Sequence, residues 1–117
     1  MIEGKKWVRT LQCADIPERE GRPFTVGERV IAIINLGDHF VAIDDRCPHM
    51  GAPLSDGIIL GNLVVCPLHA YKVDLNTGRV TSPPNDVACN ETFRTRVEDG
   101  AVFLEIPNGP RNPARGE

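Results

Sequence analysis

At 117 residues with a net charge of -3, the chain has the size of one domain with one core, and its scattered basic residues offer no electrostatic footprint for nucleic acid. A domain of this length buries roughly two-thirds of its unfolded surface, enough to fold alone without disulfides. No stretch reaches membrane-spanning length, and Met1 to Trp7 has no apolar run after its lysines to serve as a secretory signal. A cytoplasmic protein is expected, with neither nucleic acid nor membrane among its partners. In that compartment four cysteines mixed with three histidines point to metal binding or catalysis more than to a disulfide framework.

In chain order, Trp7 reads as the aromatic anchor of a first strand, and the charged stretch from Asp15 to Pro23, with two prolines, as a surface loop. Val30 to Ile34 and Phe40 to Ile43 are β-branched and aromatic runs either side of the turn-like Asn35 to Asp38, which is a hairpin pattern. The pattern recurs in Ile58 to Leu60, Gly61-Asn62, Leu63 to Val65, and in Tyr71 to Leu75, Asn76 to Gly78, Arg79-Val80. A last pair runs from Thr92 to Val97 and Ala101 to Ile106, joined by Glu98-Asp99-Gly100. Ten prolines and eleven glycines interrupt every candidate helix, so the chain is predicted to be all-β, a small stack of antiparallel sheets. One domain is expected over residues 1–106. Pro107 to Glu117, with almost nothing apolar to bury, is expected to be a flexible tail.

Two ligand pairs carry the chemistry: Cys47-Pro48-His49 and Cys66-Pro67-Leu68-His69, each placed where a predicted strand runs out. The hairpin from Ile58 to Val65 brings its own ends together, so both pairs can meet at one end of a sheet, and Pro48 and Pro67 fix backbone torsions inside the two loops. Two cysteines and two histidines could hold a structural zinc. Such sites usually pair like ligands, whereas here each loop offers one sulfur and one nitrogen, which suits a 2Fe-2S rhomb with one iron held by sulfur and the other by nitrogen.

These residues, Cys47-Pro-His49-Met-Gly51-Ala-Pro53-Leu54 and Cys66-Pro-Leu-His69, resemble the two-loop signature of Rieske iron-sulfur proteins. The resemblance covers roughly Trp7 to Ile106. It implies three stacked antiparallel sheets, cluster-binding loops over about residues 46–84, and Ser82-Pro83-Pro84 as a third loop beside the cluster. Cys47, His49, Cys66 and His69 are implied as ligands of one 2Fe-2S cluster, with no catalytic site and no open coordination position. Two ferric ions, two sulfides, two thiolates and two neutral imidazoles sum to no net charge, which eases reduction and raises the potential into a window of roughly -150 to +300 mV. High-potential members carry a loop-bridging disulfide and a serine hydroxyl donor. Here those places hold Ala52, Leu68 and Tyr71, so a potential near the bottom of that window is expected.

Within the family, His69 to Gly78 and Cys89 to Gly100 are similar to the small subunit of assimilatory NAD(P)H-dependent nitrite reductase. That resemblance implies a larger partner subunit with flavin, sirohaem and a further cluster, on which nitrite becomes ammonium. No dinucleotide fingerprint is present, and Cys13 and Cys89 are too few for a second cluster, so this chain could only supply electrons. The alternative is a Rieske ferredoxin serving an aromatic-ring dioxygenase and its reductase. Cys13 and Cys89 are expected to be small buried hydrophobes, His39 a solvated turn residue, and Asp44-Asp45-Arg46 solvated charge at the neck of the first loop.

Overall fold

The computed structural model describes residues 5–46, 53–66, 72–82, 84–89 and 91–107. Twelve strands build three antiparallel sheets among them, with two single 3-10 turns and no α-helix. The all-β architecture expected from the sequence is the one observed.

The middle sheet explains the stacking. Strands β2 (Gly21–Val26), β3 (Arg29–Asn35), β4 (Phe40–Asp44) and β10 (Thr92–Phe93) lie in the order β10-β4-β3-β2. Ile31, Ala32, Ile33 and Ile34 on β3 are all fully buried, a continuous apolar run that only a strand covered on both faces needs. Alternation divides them. Ala32, Ile34 and Ile43 face one core with Leu54, Ile59, Val64, Cys66, Val73 and Leu75, while Ile31, Ile33 and Ala42 face a second with Ile16, Phe93, Val102, Leu104 and Ile106.

The first core is closed by β5 (Ile58–Leu60), β6 (Leu63–Val65), β7 (Lys72–Asp74), β8 (Arg79–Ser82) and β9 (Pro84–Cys89), a meander in sequence order. Gly61 turns the chain between β5 and β6 at φ +58, a backbone shape open to glycine, and Leu60 pairs with Leu63 across it. The second core is closed by β1 (Lys5–Gln12), β12 (Ala101–Pro107) and β11 (Thr95–Glu98). Strand β1 pairs with β12 from Lys5 opposite Pro107 to Gln12 opposite Ala101, so the two ends of the described chain are zipped together.

Two expectations need correction. The stretch from Asp15 to Pro23 is not simply a surface loop: Ile16 is buried at 1%, and Gly21 to Pro23 open β2. Pro23 is tolerated there because β2 is an edge strand, where a missing N–H leaves no ladder bond unmade. The run from Thr92 to Val97 is not one strand but two. Thr92 and Phe93 pair with Ile43 and Ala42 in the middle sheet, then the chain crosses at Arg94 and Thr95 to Glu98 join β12. Phe93 is buried in the second core and Thr95 donates to the Phe40 carbonyl at 2.8 Å, which pins the crossing from both sides.

Candidate metal centre

The chain enters the first loop from β4. It returns through Pro53 into the 3-10 turn Leu54–Asp56, and the described residues at that neck are tightly tied. The Asp44 N–H donates to the Glu91 carbonyl and the Asp45 N–H to the Val30 carbonyl, both at 2.8 Å. The Asp45 carboxylate accepts from the Ser55 backbone N–H at 2.6 Å and from the Ser55 hydroxyl at 3.0 Å. That side chain closes the segment 46–54 at its base as a staple would. Burial pushes the Asp45 carboxyl up, with the two Ser55 bonds opposing the shift.

The expectation that Asp44-Asp45-Arg46 is solvated charge is therefore overturned for the two carboxylates, which are 6% and 4% exposed. Buried carboxylates persist only where donors meet them, and Ser55 is that donor for Asp45. Asp45→Ala is expected to leave the buried Ser55 donors unmatched and cost about 1.5–3 kcal/mol, measured by denaturant unfolding of the chain, with faster loss of iron from the holoprotein. An unfolding midpoint unchanged from the wild type would rule the staple out.

The second loop leaves from β6, and Cys66 follows that strand directly, 2% exposed within the first core beside Leu54, Val64 and Val73. The first loop ends beside the start of the second because Ile58 pairs with Val65, which sets Gly57 next to the entry of the second loop. A Cβ at Gly57 would stand 2.3 Å from the Val65 carbonyl oxygen, so only a hydrogen lets the exit of one loop touch the entry of the other. On the opposite side, a Cβ at Gly21 of β2 would stand 3.4 Å from the Ser55 backbone, so the glycine lets the 3-10 turn seat closely on the middle sheet.

Cys47, His49 and His69 lie outside the described residues, as do Gly51, Ala52, Leu68 and Tyr71. Among the described residues no group of three or more His, Cys, Asp or Glu is placed to hold a metal ion. Ser82 ends β8 and Pro84 begins β9, with Pro83 between them outside the described residues. Cys13 is half-buried against the second core, and Cys89 closes β9. His39 is exposed as expected, 2.6 Å from Asp38, whose carboxyl that bond holds below its usual range. No helix among the described residues is long and apolar enough to cross a membrane.

The described part fits an iron-sulfur group. Iron-sulfur clusters take cysteine sulfur as a ligand, and dry apolar surroundings keep solvent from the group. Cys66 is so placed, at the mouth of a loop whose neighbour is stapled beside it.

The family comparison decides the class. The family described as "Rieske [2Fe-2S] domain" matches residues 6–97. The chain belongs to the Rieske 2Fe-2S family. It is a Rieske electron-transfer protein, and its cofactor is a 2Fe-2S cluster, not the zinc that the ligand types alone also allow. It is 38% identical over 95 residues to the 3-phenylpropionate/cinnamic acid dioxygenase ferredoxin subunit of Escherichia coli (strain K12), covering 80% of this chain and 88% of that protein. A chain in the complex of reduced oxygenase and oxidized ferredoxin in carbazole 1,9a-dioxygenase is 30% identical with a TM-score of 0.74, covering 84% of this chain and 91% of that one. A structure described as a nitrite reductase NADPH small subunit has the same TM-score of 0.74, covers 85% and 97%, and is 24% identical, which shows the Rieske fold alone.

Proposed function

We propose that this chain is the ferredoxin component of a ring-hydroxylating dioxygenase system, collecting single electrons from a reductase and delivering them to a larger oxygenase. The observation that carries the reading is the 38% identity to a dioxygenase ferredoxin subunit over most of both chains. Its ligands are Cys47 and His49 from the first loop and Cys66 and His69 from the second, the rest of residues 1–106 forming one domain around them. A cluster held there takes up and gives back one electron at a time.

The chain's own contribution is to hold the loops and tune the centre. The Asp45–Ser55 staple and the contact at Gly57 keep the two loop bases in register. Cys66 sits in a region where neighbouring apolar side chains exclude water. Ala52, Leu68 and Tyr71, standing where a disulfide and a serine donor occur in high-potential relatives, leave the reduced state less stabilised and place the potential near the lower end of the Rieske window, roughly -150 mV. A cytoplasmic location belongs to the same reading.

The second reading, the small subunit of an NAD(P)H-dependent nitrite reductase, is favoured by the segments Tyr71 to Gly78 and Cys89 to Gly100. Stopped-flow reoxidation separates the two. The dithionite-reduced chain is mixed with a ring-hydroxylating oxygenase, and separately with a sirohaem nitrite reductase and nitrite, both from the same genome. Rapid reoxidation by the oxygenase alone is expected. Reoxidation only in the nitrite mixture would replace the first reading with the second.

A further inference from the structure

Arg29 is 8% exposed, and its guanidinium meets the Glu91 carboxylate at 2.6 Å beside the ring of Phe93, 5.6 Å from its centroid. A buried ion pair is weak evidence for stability, because apolar residues of similar volume often serve the fold as well or better. Its surroundings give it another role. The backbone carbonyl of Glu91 accepts from the Asp44 N–H, and the Asp45 N–H donates to the carbonyl of Val30, the residue after Arg29. These links form a closed ring: from the Arg29 side chain to the Glu91 side chain, through the Glu91 backbone to Asp44, along the chain to Asp45, across to Val30 and back to Arg29. The ring includes the segment that leads into the first loop. Glu91 also stands between β9 and β10, where the chain passes from the cluster-side sheet back to the middle sheet.

We propose that Arg29 and Glu91 are positioning residues for the 2Fe-2S centre, their ion pair fixing the Asp44–Asp45 backbone and through it the first ligand loop. This rests on the assignment of Cys47 and His49 as ligands. The pair is neutral overall, so it acts through geometry. The pair holds the Glu91 carbonyl against Asp44 on one side of the neck while Val30 holds Asp45 on the other. Without it the acceptor for Asp44 is free to drift, and the loop base loosens although β3 and β4 stay paired.

The test compares holoproteins: wild type, Arg29→Met/Glu91→Met, Arg29→Lys and Thr10→Val. The last removes a hydrogen bond from Thr10 to the Val102 carbonyl, 2.7 Å long and in the other outer sheet, as a control for simple destabilisation. Each is assayed for melting temperature, the EPR line shape of the reduced centre, and the rate of iron release to a ferrous chelator. The double methionine variant is expected to melt close to the wild type yet release iron about tenfold faster, with a broadened signal, reflecting the loss of a charge-assisted tie at the loop base. Arg29→Lys, which keeps a charged bond to Glu91, should retain most of the wild-type rate. Iron release and line shape equal to wild type in the double variant would overturn the proposal. If the double variant does not fold, Glu91→Gln takes its place against Thr10→Val, and iron release that tracks melting temperature alike in both overturns it. A wild-type chain with no Rieske signal would instead overturn the ligand assignment, and this inference with it, before any variant is compared.

Discussion

Cys66→Ala is expected to give a folded, colourless chain without acid-labile sulfide and without a Rieske signal after dithionite reduction. The side chain lost is small and apolar in its packing, so the first core, with Leu54, Val64, Val73 and Leu75 around the position, should lose only about 1 kcal/mol. The cofactor loses far more. On the proposed ligand set, one of two thiolates would disappear, an iron would be left short of a ligand, and the charge balance of an uncharged oxidised centre would be broken. Cys13→Ala is the paired control, because Cys13 packs at the margin of the other core and should leave two irons and two sulfides per chain unchanged. His49→Ala should behave as Cys66→Ala does. A Cys66→Ala protein that retains both irons and its signal would remove Cys66 from the ligand set.

Gly57→Ala is expected to be nearly as damaging through a single methyl group. Its backbone, at φ -79 and ψ 174, is extended and open to any residue, so conformational strain is not the issue. Space is. The added carbon would meet the Val65 carbonyl oxygen at 2.3 Å, Val64 Cγ2 at 2.9 Å and the Leu54 carbonyl oxygen at 3.1 Å, and two of those three are backbone atoms that cannot swing aside. Either β6 or the Leu54–Asp56 turn must move, and those carry the mouth of the second loop and the return of the first. Overpacking of this kind costs about 1–3 kcal/mol, and here the displacement falls on the spacing of the two loops. The chain should unfold at lower denaturant and be recovered with much less than two irons per molecule. Wild-type iron content in Gly57→Ala would show that the loops tolerate separate movement.

The parts of this fold that the sequence discloses are those governed by short-range pattern. The hairpin of Ile58 to Leu60 and Leu63 to Val65 is visible at its observed bounds because Gly61-Asn62 marks the turn and nothing beyond the hairpin is needed to set it. The run at Val30 to Ile34 announces a strand, but its burial on both faces becomes intelligible only once two other sheets cover it. The split at Arg94 leaves no local mark, since Thr92 to Val97 has strand propensity throughout and only the separate pairing partners divide it. At the site, the four proposed ligands stand out by residue type. Their supports do not. Asp45 and Arg29 look like ordinary surface charges until Ser55 and Glu91 are brought to them from 10 and 62 positions away. Gly57 looks like one more loop glycine until Val65 lies against it.

The zipping of β1 onto β12 gives the chain an order of assembly. Lys5 meets Pro107 across nearly the whole polypeptide, whereas Ile58 meets Val65 and Val64 meets Val73 within a short hairpin each. By the entropy of loop closure the long pairing is harder to initiate by roughly 2–3 kcal/mol than the short ones. During synthesis β12 leaves the ribosome after the other eleven described strands, and until it does β1 lacks the neighbour it has in this sheet. The meander that presents Cys66 thus has its own strands available before β1 finds β12 and the second core is sealed.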